Sequence, residues 1–253
     1  MNYFFGIKNL EFTSELQIPL FQNRKPETED ILLFKALIKN NKWKIINLNK
    51  SKILNNFYVI NSDEIDNEDI FFLAYKKDID NFDQKKLKNL NSFTDTSPNF
   101  RANFKIILKN GGFSSYQSEY PYSMIAKRGS ILSSVSAIAN LDAEKNYIFI
   151  RNIFEDPIQE NFFAYLVNIR KKTIEEKINI KTNYSNSFEL KKTLIKPEIF
   201  LVTDKYLGVP MYVSVNNKHV SFEHTHPPHE YILSQNRYKK IAELKNEISE
   251  IIN

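Results

Sequence analysis

The chain has 253 residues, 42% of them hydrophobic and 13% aromatic, enough to bury a substantial core in one large domain or two small ones. It contains no cysteine, which excludes disulfides, thiolate metal sites and a cysteine nucleophile. The formal charge of +5 comes from scattered lysines set among abundant asparagine and isoleucine, not from a basic stripe, so nucleic acid is not an expected partner.

The first hundred residues read as mixed helix and strand. Pro26, Thr28, Glu29 and Asp30 lead into the apolar run from Ile31 to Ile38, and acidic residues ahead of a dense apolar run predict a buried helix ending near Asn40. Trp43 to Leu48, Phe57 to Ile60 and Phe71 to Tyr75 are apolar runs of strand length. Ser62 to Asp69 is acidic but lacks the glycine of a calcium loop, so a solvated loop is expected there. Asp80 to Ser92 reads as a short polar helix or linker, and Asp95-Thr96-Ser97-Pro98 as a turn opening the next strand. The N-terminus has no basic segment followed by an apolar run, and no stretch approaches the roughly 20 apolar residues of a membrane helix. A cytoplasmic chain is therefore the expectation.

From Phe100 the pattern turns to period two. Ala102, Phe104, Ile106 and Leu108 form one face of a strand that ends at the hairpin signal Asn110-Gly111-Gly112. Tyr147 to Phe154 is apolar on both faces, as a strand covered on both sides would be. Phe162 to Ile169, the half-exposed alternation from Thr173 to Ile180, Ile199 to Thr203 and Met211 to Val215 follow, with a bend or edge at Gly208-Val209-Pro210. After Ser234, a plausible N-cap, Tyr238, Ile241, Leu244, Ile248 and Ile251 recur at helical spacing. The expected fold is α+β: a mainly antiparallel β-sandwich or barrel over about residues 96–231, a mixed α/β N-terminal part, and a C-terminal amphipathic helix. The change of character near residue 95 is the candidate boundary between a 1–95 subdomain and a β-rich 96–253 unit.

All four histidines of the chain, His219, His224, His226 and His229, fall within the twelve residues from His219 to Glu230, together with Glu223 and Glu230. In an extended strand Val220, Phe222, His224 and His226 share a face, and Glu223 takes the other. Pro227-Pro228 ends the strand. Neutral imidazoles with a carboxylate suit a divalent Zn, Fe or Mn, with His224, His226, His229 and Glu230 as candidate ligands. The motif His224-x-His226-x-x-x-Glu230 resembles the first ligand motif of the cupins, a β-barrel superfamily with many metal-dependent members. The glycines that flank that motif are missing here, and a helix follows where a later strand would supply the final histidine. Metal-free acid–base catalysis beside Glu223 or Glu230 also fits these residue types, as does a structural role in which the histidines cap a strand end.

A second stretch, Gly111 to Met124, contains no Lys or Arg in a lysine-rich chain. Tyr116, Gln117, Tyr120 and Tyr122, with Glu119 beside them, suit a wall that recognises a hydroxylated ligand. The plainer reading is a Ser/Tyr-rich strand whose hydroxyls satisfy local backbone. Arg128 follows directly, and Arg151 at a strand end offers an anion contact.

No P-loop, dinucleotide fingerprint or nucleophile elbow is present, and five glycines leave little room for a glycine-rich phosphate cradle. Two functions are expected. One is a metal-dependent enzyme acting on a small polar, sugar-like substrate, with Glu223 or Glu119 as base. The other is a non-catalytic glycan- or protein-binding module.

Overall fold

The computed structural model describes residues 2–9, 11–19, 31–48, 52–90, 102–121, 124–125, 132–203, 208–224 and 234–253. Its N-terminal part contains β1 (Asn2–Tyr3), β2 (Phe12–Pro19), β3 (Ile31–Lys39), β4 (Lys42–Asn47), β5 (Lys52–Leu54), β6 (Phe57–Asn61) and β7 (Ile70–Tyr75). A five-residue helix, α1 (Lys76–Asp80), and a single 3-10 turn at Leu87–Asn89 follow. The helix expected over the Ile31 to Ile38 run is instead strand β3, hydrogen-bonded to β4 on one side and β7 on the other. An apolar run of this length fits a buried strand as well as a buried helix. The turn decides it: Asn40 and Asn41 both take positive φ, 52° and 56°, and close a two-residue hairpin. The acidic loop is not wholly solvated either, since Asp69 is buried against Lys35.

The remainder comprises β8 (Ala102–Leu108), β9 (Phe113–Ser118), β10 (Tyr120–Pro121), β11 (Leu132–Ser134), β12 (Lys145–Arg151), β13 (Asn161–Asn168), β14 (Thr173–Lys181), β15 (Ser185–Leu190), β16 (Ile199–Thr203), β17 (Val209–Asn216), β18 (His219–His224) and α2 (Arg237–Ile252). The Asn110–Gly112 turn and the alternation of β8 are as the sequence predicts. The expected turn at Asp95 to Pro98 lies outside the described residues.

The strands form antiparallel sheets in the orders β5-β6-β2-β8-β9, β4-β3-β7, β15-β12-β17-β18 and β11-β16-β13-β14, with β1 paired to β10. Because β2 pairs with β8 from Phe12 opposite Leu108 to Gln17 opposite Asn103, the candidate boundary near residue 95 falls inside a shared sheet. The chain is a mainly antiparallel, sandwich-like α+β fold with a C-terminal helix.

The β15-β12-β17-β18 sheet is the middle layer. From one face Tyr147, Phe149, Met211, Val213 and Phe222 enter the larger core, where Phe12 meets Phe149 edge-on at 5.6 Å and Phe104 meets Phe222 at 5.2 Å. From the other face Ile148, Ile150 and Tyr212 pack against Ala164, Leu166 and Leu201 of the β11-β16-β13-β14 sheet. This two-sided burial explains why β12 is apolar at every central position rather than alternating. Pro210 lies beyond the last β17–β18 pair, Met211 opposite His224, so its missing N–H costs no bond to the described part of β18.

Helix α2 covers the outer face of the β11-β16-β13-β14 sheet. Ile241, Leu244, Ile248, Ile251 and Ile252 pack there on Leu132, Tyr165, Val167 and Val202. The helix begins later than its sequence suggests. Asn236 occupies the cap position, and Ser234 contributes its carbonyl oxygen to the Arg237 N–H at 3.1 Å. Among the described residues no helix is long and apolar enough to cross a membrane.

Candidate functional site

Strand β18 carries the first two histidines of the cluster. Its alternation runs as expected: Phe222 is buried, His224 is half-buried, and Ser221 and Glu223 are exposed. The buried Phe222 determines the inward face, and the two-residue period then places His224 on that side of the strand. His219 is exposed beside the turn, opposite Asn216.

Strand β9 runs alongside β18, although the two belong to different sheets and share no ladder. The approach begins at the hairpin tips. Gly112 has φ +71°, and a Cβ at that position would overlap the carbonyl oxygen of Lys218 in the β17–β18 turn. Only glycine allows both the left-handed backbone and so close an approach. Further along the seam the ring of Tyr116 stands edge-on to Phe222 at 6.2 Å and perpendicular to the His224 imidazole at 4.6 Å. Gln117 Nε2 lies 3.1 Å from His224 Nε2. The amide nitrogen can only donate, so this ring nitrogen is the acceptor.

Thus the two stretches that depart from the chain's Lys/Asn/Ile background, Gly111 to Met124 and the histidine segment, meet at Tyr116, Gln117 and His224. These three half-buried side chains offer a π-face, an amide and an imidazole over a floor of Phe104 and Phe222. Among the described residues no three His, Cys, Asp or Glu side chains gather where they would hold a metal. Three of the candidate ligands, His226, His229 and Glu230, lie outside the described residues, as do Tyr122 and Arg128. Glu223 is exposed on the face opposite His224, and Glu119 is half-buried between β9 and β10.

Comparisons of the chain with protein-family models, curated proteins and solved structures found no match.

Tyr120 and Arg151 form a separate, deeper group. Tyr120 is fully buried in β10, hydrogen-bonded to the backbone at Ile153, and burial pushes its phenol up to about 12. Arg151, at the end of β12, is fully buried as well. Burial holds its guanidinium down at about 10, so it remains charged at neutral pH. Neither is a rim residue, because both strand ends are covered by the N-terminal segment, whose Tyr3, Phe4, Phe5 and Ile7 are themselves core.

Two residues that sequence reasoning passed over tie this interior together. Ser118 Oγ donates to the Phe5 carbonyl at 2.6 Å and accepts from the Phe5 N–H at 2.8 Å. Ser185 Oγ donates to the Gly6 carbonyl at 2.9 Å and accepts from Arg151 Nη1 at 3.1 Å. A lone serine in a strand carries no signal of such a role.

Proposed function

We propose that the seam between β9 and β18 binds a small polar, sugar-like ligand, in the manner of a non-catalytic glycan-binding module. The observation that carries this reading is the convergence of Tyr116, Gln117 and His224. An aromatic ring packs against the apolar face of a sugar, while an amide and an imidazole exchange hydrogen bonds with its hydroxyls. Saturation-transfer NMR against a panel of mono- and oligosaccharides tests it. Gln117→Ala and His224→Ala are each expected to weaken a bound sugar roughly tenfold or more, about the worth of one buried polar contact. Far-UV circular dichroism should stay unchanged, since both side chains sit at the edge of the core. No sugar bound by the wild type, or equal binding by both variants, defeats the reading.

The histidine spacing favours a second reading, a metal-dependent enzyme on a similar substrate. In that reading His224, His226 and His229 or Glu230 hold a divalent Zn, Fe or Mn that polarises the substrate or activates water. Glu223 faces away from His224, which leaves Glu119 on the β9 side as the better candidate for a base. Elemental analysis of untagged protein, followed by calorimetric titration with Zn, Mn and anaerobic Fe(II), separates the two. Tight binding that is lost in His224→Ala and His226→Ala supports the enzyme, and absence of any binding removes it.

A further inference from the structure

We propose that Arg151 anchors an interior binding site for a small carboxylate. The guanidinium is wholly buried, yet among the described residues only one of its three nitrogens is engaged. Nη1 donates to the Asn67 carbonyl at 2.7 Å and to Ser185 Oγ at 3.1 Å. Nε and Nη2 are buried and make no hydrogen bond. Those two donors lie on one edge of the guanidinium, the edge that meets a carboxylate through two parallel N–H···O bonds.

The charges around it lead to the same conclusion. Two carboxylates, Asp69 and Glu68, are close enough for their fields to favour the charged guanidinium. Each already has a lysine: Asp69 pairs with Lys35 at 3.0 Å and Glu68 with Lys181 at 2.8 Å. Apart from the Phe5 ring, 5.8 Å away, Arg151 therefore holds a buried positive charge that no carboxylate among the described residues contacts. Burying a charge is costly unless it is paired, and leaving two charge-bearing donors unbonded adds to that cost. A planar monoanion with two coplanar oxygens cancels the charge and fills both donors at once. A phosphate would bring more charge and more acceptors than one fork satisfies. The fully buried Tyr120, kept neutral well above physiological pH, is the adjacent polar neighbour.

This group shares no residue with the Tyr116–Gln117–His224 cluster, so either site can fail while the other stands. The test uses the full chain. Thermal unfolding is followed in formate and in acetate against chloride at equal ionic strength, and protein as purified is denatured for ion chromatography of released organic acids. The expected result is a Tm that climbs with formate or acetate concentration, as for a ligand bound only by the folded state, or a stoichiometric amount of released acid. Arg151→Lys loses the fork and is expected to need roughly tenfold more carboxylate for the same shift. Should that variant not fold, released acid from the wild type decides: a stoichiometric amount supports the site and none overturns it. Equal responses in wild type and Arg151→Lys overturn it, as does a wild type with neither response nor released acid. Stronger stabilisation by inorganic phosphate than by formate overturns the carboxylate assignment.

Discussion

Gly112 and Gly111 are neighbours in one turn, and a methyl group would cost them different amounts. Both have positive φ, +71° and +108°, so either alanine strains the backbone by about 1–2 kcal/mol. At Gly111 nothing lies within reach of the added carbon, whereas at Gly112 it collides with backbone. Gly112→Ala is therefore expected to cost about 1–3 kcal/mol more than Gly111→Ala in urea denaturation, and to loosen the packing of Tyr116 against His224. A second single-residue prediction concerns Asp69. Burial outweighs its bonds to the Asp66 N–H and Lys35 and raises its pKa above 3.8. The folded state thus holds this proton at a higher pH than the unfolded chain does. The carboxylate's charge costs stability at neutral pH, and that cost disappears as the pH falls through the raised value toward 3.8. Wild type should gain on Asp69→Asn as denaturation is moved from pH 7 toward pH 4, and a constant difference would refute this account. At this scale the sequence was informative where composition was unusual: the clustering of histidines led to His224, and the lysine-free stretch led to Tyr116 and Gln117. It was silent on Ser118, Ser185 and Asn67, whose partners lie far along the chain.

The elements were readable where their period was unambiguous. Strand β8 and helix α2 stand where period two and helical spacing put them. Strand β3 is not legible because its apolar run has no clear period, and because asparagine is so abundant in the chain that Asn40-Asn41 does not stand out as a turn. Asn40-Asn41 and Asn55-Asn56 are in fact hairpin turns, all four residues at positive φ, joining β3 to β4 and β5 to β6. Asparagine tolerates that conformation far better than most residues. Strand β14 is an edge among the described residues. A register irregularity opposite Leu166 and Val167 breaks its regular pairing, and the nearby Glu175, Glu176 and Lys177 make it a poor template for another chain. Helix α2 packs on its sheet through five apolar residues. Ile248 is its one buried residue, so Ile248→Ala is expected to cost about 2–4 kcal/mol, while Tyr238→Ala, at a site 62% exposed, should change stability by less than about 0.5 kcal/mol. Thermal melts of the two variants check this contrast.

At the scale of the whole molecule, the middle sheet lends side chains to two cores and cannot be parted from either. The two-sided burial of β12 is legible in its unbroken apolar run, but a strand without a period does not say which residues enter which core. A fragment spanning residues 96–253 retains β12, β17 and β18 but loses β2 and the N-terminal segment. It would expose Tyr147, Phe149, Met211 and Val213, and is expected to bind the dye ANS or precipitate. A soluble fragment with native near-UV circular dichroism would show instead that the two parts fold independently.

The bond from Ser185 Oγ to the Gly6 carbonyl spans 179 positions of the chain. At a synthesis rate of about 5–20 residues per second, roughly ten to forty seconds separate the emergence of these two residues from the ribosome. During that interval Tyr3, Phe4 and Phe5 have been made but the partner that holds Gly6 has not. Phe71 and Ser118 reach Phe4 and Phe5 earlier, but Gly6 waits for Ser185, so this buried apolar segment is completed only late in synthesis and chaperones would be expected to shield it meanwhile.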